Sequence, residues 1–133
     1  MLKSVNLRDY MLKNPVKVKA DDNVLTAMQV IIDNRVSGVC VVDDRENLVG
    51  ILSELDCLRA ALGAIYNDTG IGQVKDYMAS ENLVIAHPNE DIVDVAQDML
   101  LKNKRRRPVV EDGKLVGQIT CRQLLTAVKK FNL

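Results

Sequence analysis

The chain has 133 residues, with 18 Lys and Arg balancing 18 Asp and Glu. That length fits one compact domain that buries a core without disulfide or metal staples. The 47% hydrophobic content excludes a disordered chain, and the zero net charge argues against a dedicated nucleic-acid binder. Aromatic residues make up only 3% and Trp is absent, so the core must be aliphatic and a base-stacking platform is not expected. No apolar run reaches the roughly 18–20 residues that span a bilayer. Residues 1–10, with Lys3, Arg8 and Asp9, lack the apolar centre of a signal peptide. Cys40, Cys57 and Cys121 are odd in number and lack metal-ligand spacing, which suits free thiols in a reducing cytoplasm, the expected location.

The chain is a repeat. Asp9-Tyr10-Met11 recurs 67 positions on as Asp76-Tyr77-Met78, Val41-Val42 recurs 68 positions on as Val109-Val110, and Leu48-Val49-Gly50 recurs 67 positions on as Leu115-Val116-Gly117. Two halves, 1–66 and 67–133, therefore share one plan. In the first half, residues 16–18 read as a short strand. Residues 21–35 read as a helix, with Val24, Ala27, Met28, Ile31 and Ile32 at i, i+3, i+4, i+7 and i+8 and Asp21 or Asp22 as its cap. Residues 39–42 and 48–52 read as strands around a polar turn, and a second helix runs from Glu54 to about Ile65. Residues 66–73, with Gly70 and Gly72, read as the linker.

The second half repeats this order. Residues 83–86 read as its first strand. Ile92, Val95, Ala96, Met99 and Leu100 mark a helix with Asn89 as its cap, and residues 108–110 and 115–119 read as strands. Asp112-Gly113 between those strands is a hairpin-turn signal. A last helix runs from Cys121 to about Phe131. The order is β-α-β-β-α, twice, an α/β (α+β) class. Units this short rarely bury an apolar face alone, so the halves are expected to pack together.

Three features carry possible chemistry. Ser53-x-x-Asp56 lies where a strand gives way to a helix. It reads either as a plain capping box or as a carboxylate that accepts hydrogen bonds from both hydroxyls of a ribose, beside helix N–H groups that favour phosphate. Thr120-x-x-Gln123 is its counterpart, with an amide for the acid. The run 102–107 holds five of the ten basic residues of the second half. It reads either as a solvated helix end or as a set of guanidinium forks for phosphate oxygens. Enzyme signatures are absent: His87, the only histidine, reads as a surface loop residue, and there is no zinc-protease or phosphate-loop motif.

Taken together, Ser37-Gly38-Val39-Cys40-Val41-Val42-Asp43 with Arg105-Arg106-Arg107-Pro108-Val109-Val110-Glu111, and Gly50-Ile51-Leu52-Ser53-Glu54-Leu55-Asp56 with Gly117-Gln118-Ile119-Thr120-Cys121-Arg122-Gln123, resemble the motifs of a tandem pair of CBS (cystathionine-β-synthase) domains, a Bateman module. The resemblance covers nearly the whole chain. It implies two pseudo-symmetric repeats packed through their sheets and a regulatory role without catalysis. The implied ligand is an adenine nucleotide (AMP, ADP or ATP, with S-adenosylmethionine or NADH in some members), and no cofactor or metal is required. It also implies a homodimer.

Residue by residue, the resemblance assigns ribose to Ser53 and Asp56 and phosphate to Arg105 and Arg106, with Arg122 a further candidate. Adenine falls to Val84, Ile85, Val39 and Val109, each equally explained as core. A second, weaker site would combine Thr120 and Gln123 with Val16, Lys17, Ser37 and Gly38; Gln123 stands where the acid is expected. Arg107 fills a position that is usually apolar in the family, and a partner-facing role is one reading of it. The functional expectation is a standalone sensor that binds an adenine nucleotide and signals to a protein target in trans. The alternative is a ligand-free dimerisation or interaction module with vestigial clefts. A nucleic-acid accessory protein using 102–107 is a third reading, but nucleic-acid and membrane partners are not expected.

Overall fold

The computed structural model describes residues 4–131 and 133. In chain order the elements are strands β1 (Leu12–Lys13) and β2 (Lys17–Lys19), helix α1 (Val24–Asn34), strands β3 (Gly38–Val42) and β4 (Leu48–Ser53), and helix α2 (Glu54–Asn67). Helix α3 (Ile92–Lys102), strands β5 (Arg106–Glu111) and β6 (Lys114–Thr120), and helix α4 (Cys121–Val128) complete the set. Short 3-10 turns, Leu7–Asp9 and Val74–Asp76, carry the two Asp-Tyr-Met landmarks.

The doubled α/β plan is present, but the compact units are not the sequence halves. One unit is Val16–Leu83; the other joins Met1–Pro15 to Val84–Leu133. In Val16–Leu83, β2 runs parallel to β3 and β3 antiparallel to β4. The chain after the second 3-10 turn then bridges β4 at Ile51 and Ala79. In the other unit Ala86 bridges Val109 of β5 in parallel, β5 pairs antiparallel with β6, and β1 pairs antiparallel with β6. Each sheet is thus completed by a segment that the sequence places in the opposite repeat.

Glycine makes this exchange possible. A side chain at Gly117 would come within 2.7 Å of the Met11 sulfur and 2.9 Å of the Leu12 carbonyl oxygen. At Gly50 it would meet the Met78 sulfur at 2.6 Å and the Ala79 carbonyl oxygen at 2.8 Å. The repeated Leu-Val-Gly and Asp-Tyr-Met landmarks are therefore two sides of one contact. The 3-10 turns anchor it from within the cores, since Leu7 and Val74 are both fully buried.

Each core is built from equivalent positions. Val24, Ala27, Ile31, Leu52 and Cys57 in one cluster match Ile92, Val95, Met99, Ile119 and Leu124 in the other. These are the inward positions of the helical and strand periodicities. The hairpin signal is borne out as well: Asp112 and Gly113 both adopt positive φ, as a two-residue turn demands.

Four local expectations need correction. The caps of α1 and α3 are Asn23 and Asp91, not Asp21 or Asp22 and not Asn89. Asn23 Oδ1 accepts from Leu25 N at 2.8 Å and Asp91 Oδ1 from Val93 N at 2.7 Å. Both helices start at the first residue of their apolar patterns, Val24 and Ile92, so α1 begins three residues after the expected 21, and Asp22 instead accepts from Lys19 N at 2.9 Å in the preceding turn. Residues 83–86 form no strand beyond the bridge at Ala86. His87 N donates to the Glu90 side chain and Pro88 has no N–H, so the ladder stops there. Residues 66 and 67 belong to α2, which ends at Asp68 in the left-handed conformation (φ 50). Strand β1 carried no sequence signal that we read.

Gly117→Ala is expected to cost about 1–3 kcal/mol in urea unfolding, because backbone and methionine must both shift. Gly63→Ala, inside α2 with no atom within 4 Å of the added carbon, should instead add about 0.5–1 kcal/mol. Equal responses at the two positions would contradict the close-packing account.

Candidate ligand-binding site

In Val16–Leu83 the strand-to-helix junction at Ser53 is a complete capping box. Ser53 Oγ accepts from Asp56 N at 3.1 Å, and Asp56 Oδ2 accepts from Ser53 N at 2.9 Å. Asp56 Oδ1 takes an exposed Arg59 guanidinium at 3.1 Å. The carboxylate is only 18% exposed while Arg59 is 67% exposed. Such a surface pair is weak and readily displaced, and each carboxylate oxygen keeps a second acceptor position. Ser37 and Gly38 lie alongside: Gly38 is in register with Ser53, and Glu54 N donates to the Ser37 carbonyl at 2.9 Å. A side chain at Gly38 would be tight, since an added carbon would lie 3.0 Å from the Leu52 carbonyl oxygen. Val16 and Lys17 lead into β2 beside β3, with Lys17 paired to Glu46.

The junction at Thr120 repeats the device with opposite polarity. Thr120 Oγ1 accepts from Gln123 N at 3.2 Å, and Gln123 Oε1 accepts from Thr120 N at 3.0 Å. The amide oxygen is therefore committed to the cap and the NH2 group faces away from it. Asp56 offers acceptors at its junction; Gln123 offers donors. Arg106 is in register with Thr120, and Cys121 N donates to the Arg105 carbonyl at 2.9 Å. Arg105, Arg106 and Arg122 thus gather around the start of α4. Arg105 and Arg122 are exposed and make no ion pair among the described residues.

The expected site residues therefore fall into two local sets. Ser53, Asp56, Ser37, Gly38, Val16 and Lys17 belong to one unit; Arg105, Arg106, Arg122, Thr120, Gln123, Val84 and Ile85 belong to the other. Val84 is half-buried and Ile85 is exposed beside β5, whereas Val39 and Val109 are core residues of their respective units. His87 sits in a surface turn, its Nδ1 accepting from Asn89 N at 3.1 Å. Burial, then the nearby Asp56 and Glu54 carboxylates, push the Cys57 thiol above its ordinary value, so it remains a protonated core group. Among the described residues no cluster of His, Cys, Asp and Glu is arranged to hold a metal, and no helix is long and apolar enough to cross a membrane.

The family model for the CBS domain matches residues 7–63 and 74–130. The chain belongs to the CBS-domain family. It is 35% identical over 124 residues to an inosine-5'-monophosphate dehydrogenase of Aquifex aeolicus, covering 92% of this chain and 24% of that protein. The chain spans 24% to 39% of the lengths of the first curated relatives that it matches. Among solved structures it is similar to CBSX2 in complex with AMP (TM-score 0.81, 30% identity, 96% of this chain and 98% of that one). It is also similar to the CBS domain pair of protein MJ0100 in complex with 5-methylthioadenosine and S-adenosyl-L-methionine (TM-score 0.74, 25% identity, 94% and 98%).

Within this CBS pair, one residue departs from its repeat. Arg107 occupies the position equivalent to the core residue Val39, and it is buried (3% exposed) rather than turned to a partner. Its Nη2 donates to Asp98 Oδ2 at 2.7 Å, and Lys102 joins the same oxygen at 2.9 Å. Asp98 is the equivalent of Val30, which packs against the core of the other repeat. An apolar contact in one repeat has thus become an ion pair in the other. Our sequence reading missed this pair; the signal that could have found it is the paired departure at 98 and 107, each 68 positions after a valine. The Arg107 Nε is buried without a hydrogen-bond partner among the described residues, which weakens the pair as a source of stability.

Hydrogen bonds from Lys102 and then Arg107 hold the Asp98 carboxyl below its ordinary 3.8. A group whose pKa is lowered on folding stabilises the fold above its unfolded pKa and loses that contribution as pH falls through the folded one. Stability should therefore decline below about pH 4. Asp98→Val alone should lower the melting temperature by stranding a buried guanidinium. Adding Arg107→Val should restore it and remove this part of the acid sensitivity. Thermal melts from pH 3 to 7 check both; a double variant no better than the single one would overturn the pairing.

Proposed function

We propose that this CBS pair is a regulatory module that binds an adenosine-type ligand, an adenine nucleotide or a sulfonium relative, and reports its occupancy to a protein target. The observation that carries the reading is the acceptor-rich junction at Asp56: a carboxylate held in place by its capping box and restrained otherwise only by a displaceable surface arginine. A vicinal diol is the group best suited to such an acceptor pair. The similarity to CBSX2, which was solved with AMP, and to MJ0100, solved with two adenosine derivatives, supports the same ligand class.

In this reading Ser53 and Asp56 take the ribose, Arg105, Arg106 and Arg122 take phosphate, and Val84 and Ile85 cover the base, backed by the core valines Val39 and Val109. Thr120, Gln123, Val16, Lys17, Ser37 and Gly38 serve a second, weaker site, since Gln123 turns donors where Asp56 turns acceptors. The module works as a homodimer: each unit leaves apolar helix residues uncovered, among them Ile32 and Leu58 in one unit and Leu100 and Leu125 in the other. The competing reading, a ligand-free interaction module, draws on the same apolar surface.

A ligand panel separates the two. Binding at 100 times Kd raises stability by about 2.7 kcal/mol, so AMP, ADP, ATP, 5-methylthioadenosine or S-adenosylmethionine should lift the melting temperature. Asp56→Asn keeps an acceptor for the cap but removes the charge. It should weaken binding roughly tenfold or more while leaving the ligand-free melt nearly unchanged. No shift of the wild-type protein with any of the five would favour the ligand-free module.

A further inference from the structure

The chain passes from one unit to the other twice, between Pro15 and Val16 and between Leu83 and Val84. The crossings occupy equivalent places, 68 positions apart, and each follows an asparagine in the left-handed conformation, Asn14 (φ 55) and Asn82 (φ 54). They differ in how firmly the chain is held. In the first, β1 is paired through Lys13 and β2 from Lys17, so only residues 14–16 lie between ladders, and the middle one is Pro15 with its fixed φ. In the second, Ala79 bridges β4 and Ala86 bridges β5. The six residues between them, 80–85, make no backbone hydrogen bond among the described residues.

Three differences between the repeats account for the slack. Leu83 stands where the first crossing has Pro15. Lys17 is in register with Cys40, but the equivalent pair, Ile85 with Pro108, does not form. Pro108 has no N–H, so β5 offers the passing chain no donor there. Finally, Val16 packs against the core of its unit, as Val30 does, and Val39 belongs to that core. Their equivalents are Val84, Asp98 and Arg107. With the ion pair in that place, Val84 is not among the described residues packed against the other core, and Ile85 is 45% exposed. Unpaired backbone with few buried apolar contacts marks a segment of low local stability.

We propose that this second crossing converts ligand occupancy into chain order: residues 80–85 are loose in the ligand-free protein and become ordered when an adenosine-type ligand lies on Val84 and Ile85. The proposal rests on the ligand reading above and adds the means of reporting. Ordering six residues costs conformational entropy. The first crossing has already lost that freedom to Pro15 and its flanking ladders, so occupancy has more order to gain at the second. A ligand that favours the ordered form shifts the chain towards it. By the same linkage, whatever orders the crossing beforehand strengthens binding.

Amide hydrogen exchange of the full chain tests this. Without ligand, the amides of residues 80–85 should exchange nearly as fast as in an open chain. Saturating AMP, or S-adenosylmethionine in a parallel sample, should slow them on the order of tenfold or more. Leu83→Pro copies the first crossing onto the second without removing a bonded N–H, and Pro108→Ala returns a donor to the position of Cys40. Each should tighten binding of the same ligand about two- to fivefold in calorimetry and shrink the protection gained on binding. Binding that leaves 80–85 exchanging as fast as before, or two folded variants with wild-type affinity, would overturn this role and leave the ligand reading standing. A chain that binds none of the five ligands above would remove both. The ligand-free melting temperature of each variant reports that it has folded.

Discussion

Met11 rests on Gly117 and Met78 on Gly50, each at a distance that no side chain on the glycine would allow. These two contacts decide which segment completes which sheet, and the rest of the architecture follows from them. They draw β1 onto β6 and Ala79 onto β4, and they seat Leu7 and Val74 in the cores. With both sheets closed, the strand-to-helix junctions at Ser53 and Thr120 are held rigidly enough for their capping boxes to orient a side chain at the surface. A chain whose repeats kept their own opening segments would have the same local elements and a different pair of units.

The repeat also acts as its own reference. Most core positions are filled by an apolar residue in both copies, so each exception points to something local. At 30 and 39 the first repeat has valines; at 98 and 107 the second has an aspartate and an arginine that hydrogen-bond at 2.7 Å. The substitutions are intelligible as a pair, since Arg107 without Asp98 would bury an unmatched guanidinium. At the helix junctions the divergence is one of hydrogen-bonding polarity. Asp56 and Gln123 perform the same capping task through one oxygen and differ in the group left over, a carboxylate oxygen in one and an amide NH2 in the other.

The candidate site was legible in the sequence to the extent that it depends on local chemistry. Ser53-x-x-Asp56 and Thr120-x-x-Gln123 have the spacing of a helix-start capping box, and the structure forms both boxes. The burial of Arg107 was not legible in the same way. It sits in a run of basic residues that reads as solvent-facing, and alternation along β5 turns it inward while Arg106 stays half-buried. Caps were misplaced by one or two residues, because Asp21, Asp22 and Asn89 are as competent chemically as Asn23 and Asp91. Only the backbone path selects among them.

The sequence by itself determined the doubled β-α-β-β-α order, most inward positions of the helices and strands (Ile32 and Leu100, read as part of the apolar faces, stay exposed), the Asp-Gly hairpin turn and the two helix-start motifs. All of these follow from hydrogen-bond periodicity and side-chain preference within a few residues. Only the tertiary structure decided that the opening segments exchange, that residues 83–86 shrink to a single bridge, that Arg107 goes inside with Asp98, and that Leu58 and Leu125 stay in the open. Each of those outcomes depends on what lies across from a residue rather than beside it in the chain. A glycine 106 positions from its methionine leaves no periodic trace.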